Sequence, residues 1–305
     1  MVLGALLATS GATANSVASI VVADNGDVFF SDYVRDKIWK VSAGGELSVA
    51  LSNRHTYHLV RDAKGTIYGE NGPTRSGADA TIWRLEPDGK WDEAFRAARR
   101  GGTASYRGTV FTIDLDGNLL YLHECRLVRL GDDGGLVPLT QRRCTGIAWK
   151  DDALIYGHLH GSMAWAPDGT LYFSDGRTIR RVTPEGDVTT LGGKPTTLFA
   201  DPRPGEERFD ALMGLAVDAN GTVFAADRSR RSILRFGPDG KPELVAKLGM
   251  FWSPIGLTVS GDDLYVVVNL RFPTPGFLAG ALGNPTVQKI SADGTIQTLA
   301  TVKKR

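Results

Sequence analysis

Five histidines are spread over about a hundred residues: His55, His58, His123, His158 and His160. His158 and His160 form an H-x-H pair, and on a strand a two-residue step puts both rings on one face. Imidazole is a common ligand of zinc and other divalent metals, and three imidazoles leave an open position for water or substrate. His58, His123 and His158 are the candidate metal ligands, with His160 as a further acid–base group. Glu70 and Glu124 are candidate bases toward a metal-polarised carbonyl or an activated water. Arg54, Asn71, Arg143, Trp252 and Asn269 are candidates for holding an anionic or ring-bearing substrate. The same imidazoles also suit a polar cavity bonded to backbone and water, and that reading stays open. No Gly-x-Ser-x-Gly elbow, phosphate loop or dinucleotide fingerprint occurs, which removes support from serine-nucleophile and nucleotide chemistries.

Residues this far apart need a scaffold that brings them together, and the chain supplies one by repetition. The clearest copy runs Gly214-Leu215-Ala216-Val217-Asp218-Ala219-Asn220-Gly221-Thr222-Val223-Phe224-Ala225-Ala226-Asp227, then Ser232 to Phe236 and Gly237-Pro238-Asp239-Gly240. The first turn recurs at Asp24 to Gly26, Asp62 to Gly65, Asp114 to Gly117, Asp168-Gly169 and Gly261-Asp262. The second recurs at Gly44-Gly45, Pro87 to Gly89, Asp133-Gly134, Pro184 to Gly186 and Ala292 to Gly294, always in phase with the first. Each unit therefore holds two hairpins, and four short strands per unit at this period predict an all-β, six-bladed β-propeller of four-stranded antiparallel blades. Gly146 to His158 copies the opening of the last repeat without a second hairpin. It reads as an inserted hairpin or as a degenerate seventh blade near 145–161.

In such a blade the first-to-second and third-to-fourth turns lie on one face, and these are all short. The long segments, Pro73 to Ala80, Asp92 to Arg107, Gln141 to Gly161, Gly192 to Met213, Gly249 to Pro254 and Leu270 to Pro285, fall in second-to-third loops or inter-blade links. All the elaboration therefore sits on the other face, where loops on a rigid frame carry function. The five histidines map there as well. His58 replaces the entry glycine equivalent to Gly214, and His123 ends a second strand in the slot of Asp227. The second-strand ends add Asp32, Glu70-Asn71, Glu124, Asp175, Asp227 and Asn269, oxygen donors of the kind calcium prefers. Asp32, Asp175 and Asp227 repeat and read as loop caps. Glu70, Asn71, Glu124 and Asn269 break the pattern and read as functional.

The repeat resembles an NHL repeat over residues 20 to 300, carried by Gly214 to Asp218, Val223 to Asp227 and Ile233 to Phe236, with Phe209 as the lead-in. Propellers similar to this include gluconolactonase-like and strictosidine-synthase-like enzymes and the peptidyl-hydroxyglycine amidating lyase. The resemblance implies zinc or calcium and a small-molecule ester or lactone hydrolase or a lyase. The amidating lyase, whose histidines from different blades hold zinc, points to the same residues. The Gly-Glu-Gly-Pro-type opening that supplies the metal-binding glutamate of gluconolactonases is not found in this chain. The alternative is a non-catalytic propeller that binds a protein or glycan through the same face.

The remaining features set bounds. In 305 residues, 35 Lys+Arg against 34 Asp+Glu give a net charge of +1, so nothing draws the chain to nucleic acid or an anionic membrane. Gly and Pro make up about one residue in six, which argues against a helical fold. Residues 1–14 read as a signal peptide, with an apolar Val2 to Ala8 and a small-x-small Ala12 to Ala14, or as a closing strand of the single domain 15–305. The first reading implies export and, with it, a Cys125–Cys144 disulfide; the second is compatible with a cytoplasmic protein. A monomer acting on a small molecule is expected.

Overall fold

The Asp-Gly turns are built by their own side chains. Asp62 Oδ1 accepts from the amides of Lys64 and Thr66 (2.9 Å each), while the Gly65 amide donates to the Asp62 carbonyl at 3.1 Å. Asp114 holds the amides of Asp116 and Asn118, and Asp218 those of Asn220 and Thr222, in the same way. A short acceptor at the first position and a residue at positive φ at the fourth close a tight hairpin; Gly65 has φ +87°.

In the computed structural model, which describes residues 19–71, 81–96, 99–100, 103–104, 111–123, 126–131, 135–140, 162–174, 178–193, 212–270 and 284–303, these hairpins pair into six four-stranded antiparallel sheets. The blades comprise 20–22, 28–32, 37–41 and 47–52; 59–61, 67–71, 81–85 and 91–96; 111–113, 119–123, 126–130 and 136–138; 163–165, 171–174, 179–182 and 188–192; 212–217, 223–227, 232–236 and 242–247; and 252–260, 263–270, 286–290 and 296–301. Strand order within every blade is sequence order. A short hairpin, 99–100 with 103–104, stands apart after blade two.

Strand alternation places the core between blades. Val28 and Phe30 face blade six, where they meet Ile255, Val267, Val287 and Val302. Phe29, with Val21 and Ile38, faces blade two and packs on Ile67, Trp83 and Leu85. Each of the six blade interfaces has its own apolar cluster of this kind. The ring closes between blades six and one by side-chain packing; among the described residues no strand of one blade completes the sheet of another. The first strands of all six blades line a central channel of about 280 Å³, with Val21, Val60, Ile113, Ala164, Ala216 and Thr258 around its wall. No described helix is long and apolar enough to cross a membrane.

Several segments expected as loops are partly strand, Gly192, Leu212, Met213 and Leu270 among them, and two are extended the most. Trp91–Arg96 is the outermost strand of blade two, and Trp252 and Ser253 already belong to a nine-residue first strand of blade six. Both extensions have partners waiting for them, Thr81–Leu85 and Asn269–Leu270, which the repeat period does not reveal. The stretch 145–161, both cysteines and residues 1–14 lie outside the described residues.

Candidate active site at the channel mouth

Each first strand has one equivalent entry position toward the long-loop face, and its occupant differs among the described blades. In blades one and four it is Ser19 and Ser162, whose amides donate to the hydroxyls of Ser31 (2.9 Å) and Ser174 (3.0 Å) on the second strand. Blade six has Gly256 opposite Val267, and blade five has Gly214, where a Cβ would lie 2.5 Å from the Leu257 nitrogen of blade six. Only a residue without a side chain lets those two blades approach so closely.

Blade two departs from all of these, with His58 at the entry and Glu70 in the place of the serine. The His58 amide donates to Glu70 Oε1 (2.9 Å) and Oε2 (3.0 Å), and the Tyr57 amide donates to Oε1 at 2.5 Å. Thr56 Oγ1 donates to the Glu70 carbonyl (2.7 Å) and accepts from Trp83 Nε1 (3.2 Å). Glu70 is wholly buried, and burial pushes its carboxyl up to about 8 despite the amide hydrogen bonds that pull it down. It is a carboxyl that keeps its proton through neutral pH, beside a buried histidine at the rim of the channel.

The expected ring of second-strand acids does not share one slot. Asp32, Asn71, His123 and Asp227 are equivalent in register, opposite Lys37, Thr81, Arg126 and Ser232. Glu70 stands one residue earlier and so faces the other side of the sheet. In blade six the slot falls on Val268, opposite Thr286, and Asn269 lies one residue beyond. Asp32 caps its own loop through the Arg35 amide (3.2 Å) and guanidinium (2.8 Å), and Asp227 accepts from the Arg230 amide (2.9 Å). Asn71 Oδ1 instead accepts from the His55 amide (2.9 Å) and pins the link into blade two.

The other candidates scatter. Arg54 stacks 4.2 Å from the ring centroid of Trp91 on the outermost strand of blade two, toward the rim. Trp252 and Asn269 lie on neighbouring strands of blade six but not opposite each other: Trp252 pairs with Leu270 and Asn269 with Ser253, so their side chains face opposite sides of the sheet. Ser253 Oγ and Asn269 Oδ1 are buried without a hydrogen-bond partner among the described residues. His123 ends its strand opposite Arg126, but its side chain, like Glu124, Arg143, His158 and His160, lies outside the described residues. Among the described residues no three His, Cys, Asp or Glu side chains are grouped to hold a metal ion, so His58 and Glu70 do not by themselves fit a zinc or calcium centre.

A cluster that the residue reading passed over lies beside His58. His55 Nδ1 is 2.8 Å from Asp36 Oδ1, and its Nε2 is 2.8 Å from the Tyr57 hydroxyl. Tyr33 stacks on Tyr57 with centroids 5.3 Å apart and meets His55 edge-on at 5.8 Å. The His-x-Tyr spacing was visible; Tyr33 and Asp36 come from the second-to-third turn of the preceding blade, and no local signal links them to it.

Solved structures similar to this chain share its architecture at low identity. A selenomethionine-substituted virginiamycin B lyase from Staphylococcus aureus superposes with a TM-score of 0.53 at 16% identity, covering 94% of this chain and 84% of that one. A gluconolactonase from Xanthomonas campestris gives 0.57 at 16%, covering 82% of each chain. Regucalcin from Agrobacterium tumefaciens, described as a calcium-binding protein, gives 0.54 at 15%, covering 84% and 83%. No curated protein sequence matches. Residues 17–267 match the family described as SMP-30/Gluconolactonase/LRE-like region, and since this span takes in five complete blades and most of the first two strands of the sixth, the chain belongs to that family.

Proposed function

We propose that the protein is a small-molecule hydrolase or lyase of the lactonase type, working on an ester or lactone at the channel mouth on the long-loop face. The observation that carries this reading is the blade-two entry: an imidazole and a proton-bearing carboxyl replace the small residues used at the described entries of the other blades. A carboxyl whose pKa is raised toward neutrality is a source or sink of protons for acyl chemistry. Membership of the SMP-30/Gluconolactonase/LRE-like family supports the same class, as do the names of the lyase and gluconolactonase that share the fold.

Purified protein assayed against aldonolactones, δ-valerolactone and aryl esters, with and without a chelator, tests the proposal. Turnover well above the uncatalysed rate is expected for at least one lactone, and His58→Ala should lower kcat/KM by roughly 10²-fold, within the usual worth of an acid–base group. A wild-type protein inert across the panel would overturn the reading. Loss of activity on chelation, restored by zinc or calcium, would establish metal dependence.

A further inference from the structure

We propose that Asp36, His55 and Tyr57 form a proton relay at the channel mouth, with the Tyr57 hydroxyl as the group that exchanges protons with the substrate. The proposal rests on the hydrolase reading and supplies its acid–base unit. Asp36 belongs to the second-to-third turn of blade one, while His55 and Tyr57 lie in the link that enters blade two. A carboxylate can only accept, so the contact between Asp36 Oδ1 and His55 Nδ1 places the ring proton on Nδ1 and leaves Nε2 to accept from the Tyr57 hydroxyl. This order of carboxylate, imidazole and hydroxyl is that of a hydrolase triad, with a phenol in the place of the serine.

The relay is held from several sides. The Arg54 amide donates to the Asp36 carbonyl at 2.9 Å, Asn71 Oδ1 accepts from the His55 amide, and Glu70 accepts from the Tyr57 amide. Asp36 sits at φ +51° at the end of its turn, the left-handed conformation that Arg231 takes at the equivalent position of blade five (φ +54°), so the turn itself fixes where its side chain starts. The Tyr33 ring covers both His55 and Tyr57. Around the pair lie the carboxyl groups of Asp36, Asp32 and Glu70 and, from blade five, the guanidinium of Arg228, whose field reaches Tyr33. Burial first, then Glu70 and Asp36, push the Tyr57 phenol up.

In lactone hydrolysis the attacking water gives a proton to the Tyr57 oxygen as the Tyr57 proton moves to His55 Nε2, and the water oxygen bonds to the carbonyl carbon. The imidazolium faces Asp36. When the tetrahedral adduct breaks its bond to the ring oxygen, His55 Nε2 returns its proton to Tyr57 and Tyr57 protonates the leaving alkoxide. One water is consumed and the relay ends as it began.

The test uses the full chain with δ-valerolactone, whose alkoxide must be protonated to leave, and 4-nitrophenyl acetate, whose phenolate need not be. Tyr57→Phe should lower kcat on the lactone by about 10²-fold with KM little changed, and should affect the aryl ester less. His55→Gly should be slow and be rescued by added imidazole, whereas the His55→Gly, Tyr57→Phe double variant should not. Asp36→Asn should lower kcat without loss of fold, checked by circular dichroism. Full lactone activity in a folded Tyr57→Phe variant, or imidazole rescue that does not need Tyr57, would overturn the relay and leave the hydrolase reading standing. A wild-type protein inactive on both probes would overturn the two together.

Discussion

Glu70 shows how one side chain changes what a repeated position does. Its counterparts Ser31 and Ser174 cap a strand with a neutral hydroxyl, while Glu70 caps two amides and brings an ionisable group into a dry site. Its folded carboxyl titrates at about 8 against an ordinary value near 4.5, so between those values the folded chain keeps a proton that the unfolded chain has released. Stability from this group is therefore complete below about pH 4.5 and is lost as pH rises through about 8. Glu70→Gln keeps the neutral, amide-accepting form at every pH. Its stability relative to wild type should grow from pH 5 to pH 9, by up to several kcal/mol since each unit is about 1.4 kcal/mol. Urea unfolding at a series of pH values measures this, and two parallel curves would refute it.

Among elements, the second strand of blade two does most to position the site, and it depends on Gly69. A Cβ there would lie 2.2 Å from Trp83 Cζ2, so the indole lies flat against bare backbone. Trp83 in turn donates to Thr56, and Thr56 to the carbonyl of Glu70. Gly69→Ala should push the indole out, cost about 1–3 kcal/mol as an overpacked core does, and change the near-ultraviolet dichroism of the tryptophan. An unchanged melting temperature would count against this account. The blade itself was legible in the sequence, because Asp-x-x-Gly turns state both their position and their phase. The slot of Glu70 was not: Glu70 and Asn71 are neighbours in sequence, yet a one-residue step sends them to opposite faces. Nor was the Asp36–His55–Tyr57 chain, which crosses a blade boundary that the repeat period treats as a mere link. Five of the residues singled out for chemistry, His123, Glu124, Arg143, His158 and His160, have side chains outside the described residues, so the site as described is built mainly from blades one and two.

At the scale of the whole molecule, sequence periodicity anticipated the six four-stranded blades, since six in-phase hairpin pairs leave a ring as the way to bury both faces of every blade; the expected insert or degenerate blade near 145–161 lies outside the described residues. The manner of closure was beyond it, because nothing local tells whether blade six borrows a strand. It does not among the described residues; Ile20, Val22, Val28 and Phe30 simply pack on Ile255, Val267, Val287 and Val302. A consequence is that the molecule is divisible. With no strand pairing between blades among the described residues, a cut in a link severs none of the described sheets, and two half-rings present complementary apolar faces. Fragments broken between Thr140 and Ser162, the first holding blades one to three and the second blades four to six, should recombine when refolded together and co-elute as a one-to-one complex. Separate elution would show that covalent continuity, and not the six interfaces alone, holds the ring. Such divisibility makes each blade an exchangeable part: a lineage built this way can replace one sector, such as blades one and two with the proposed site, while the rest of the circle keeps its packing.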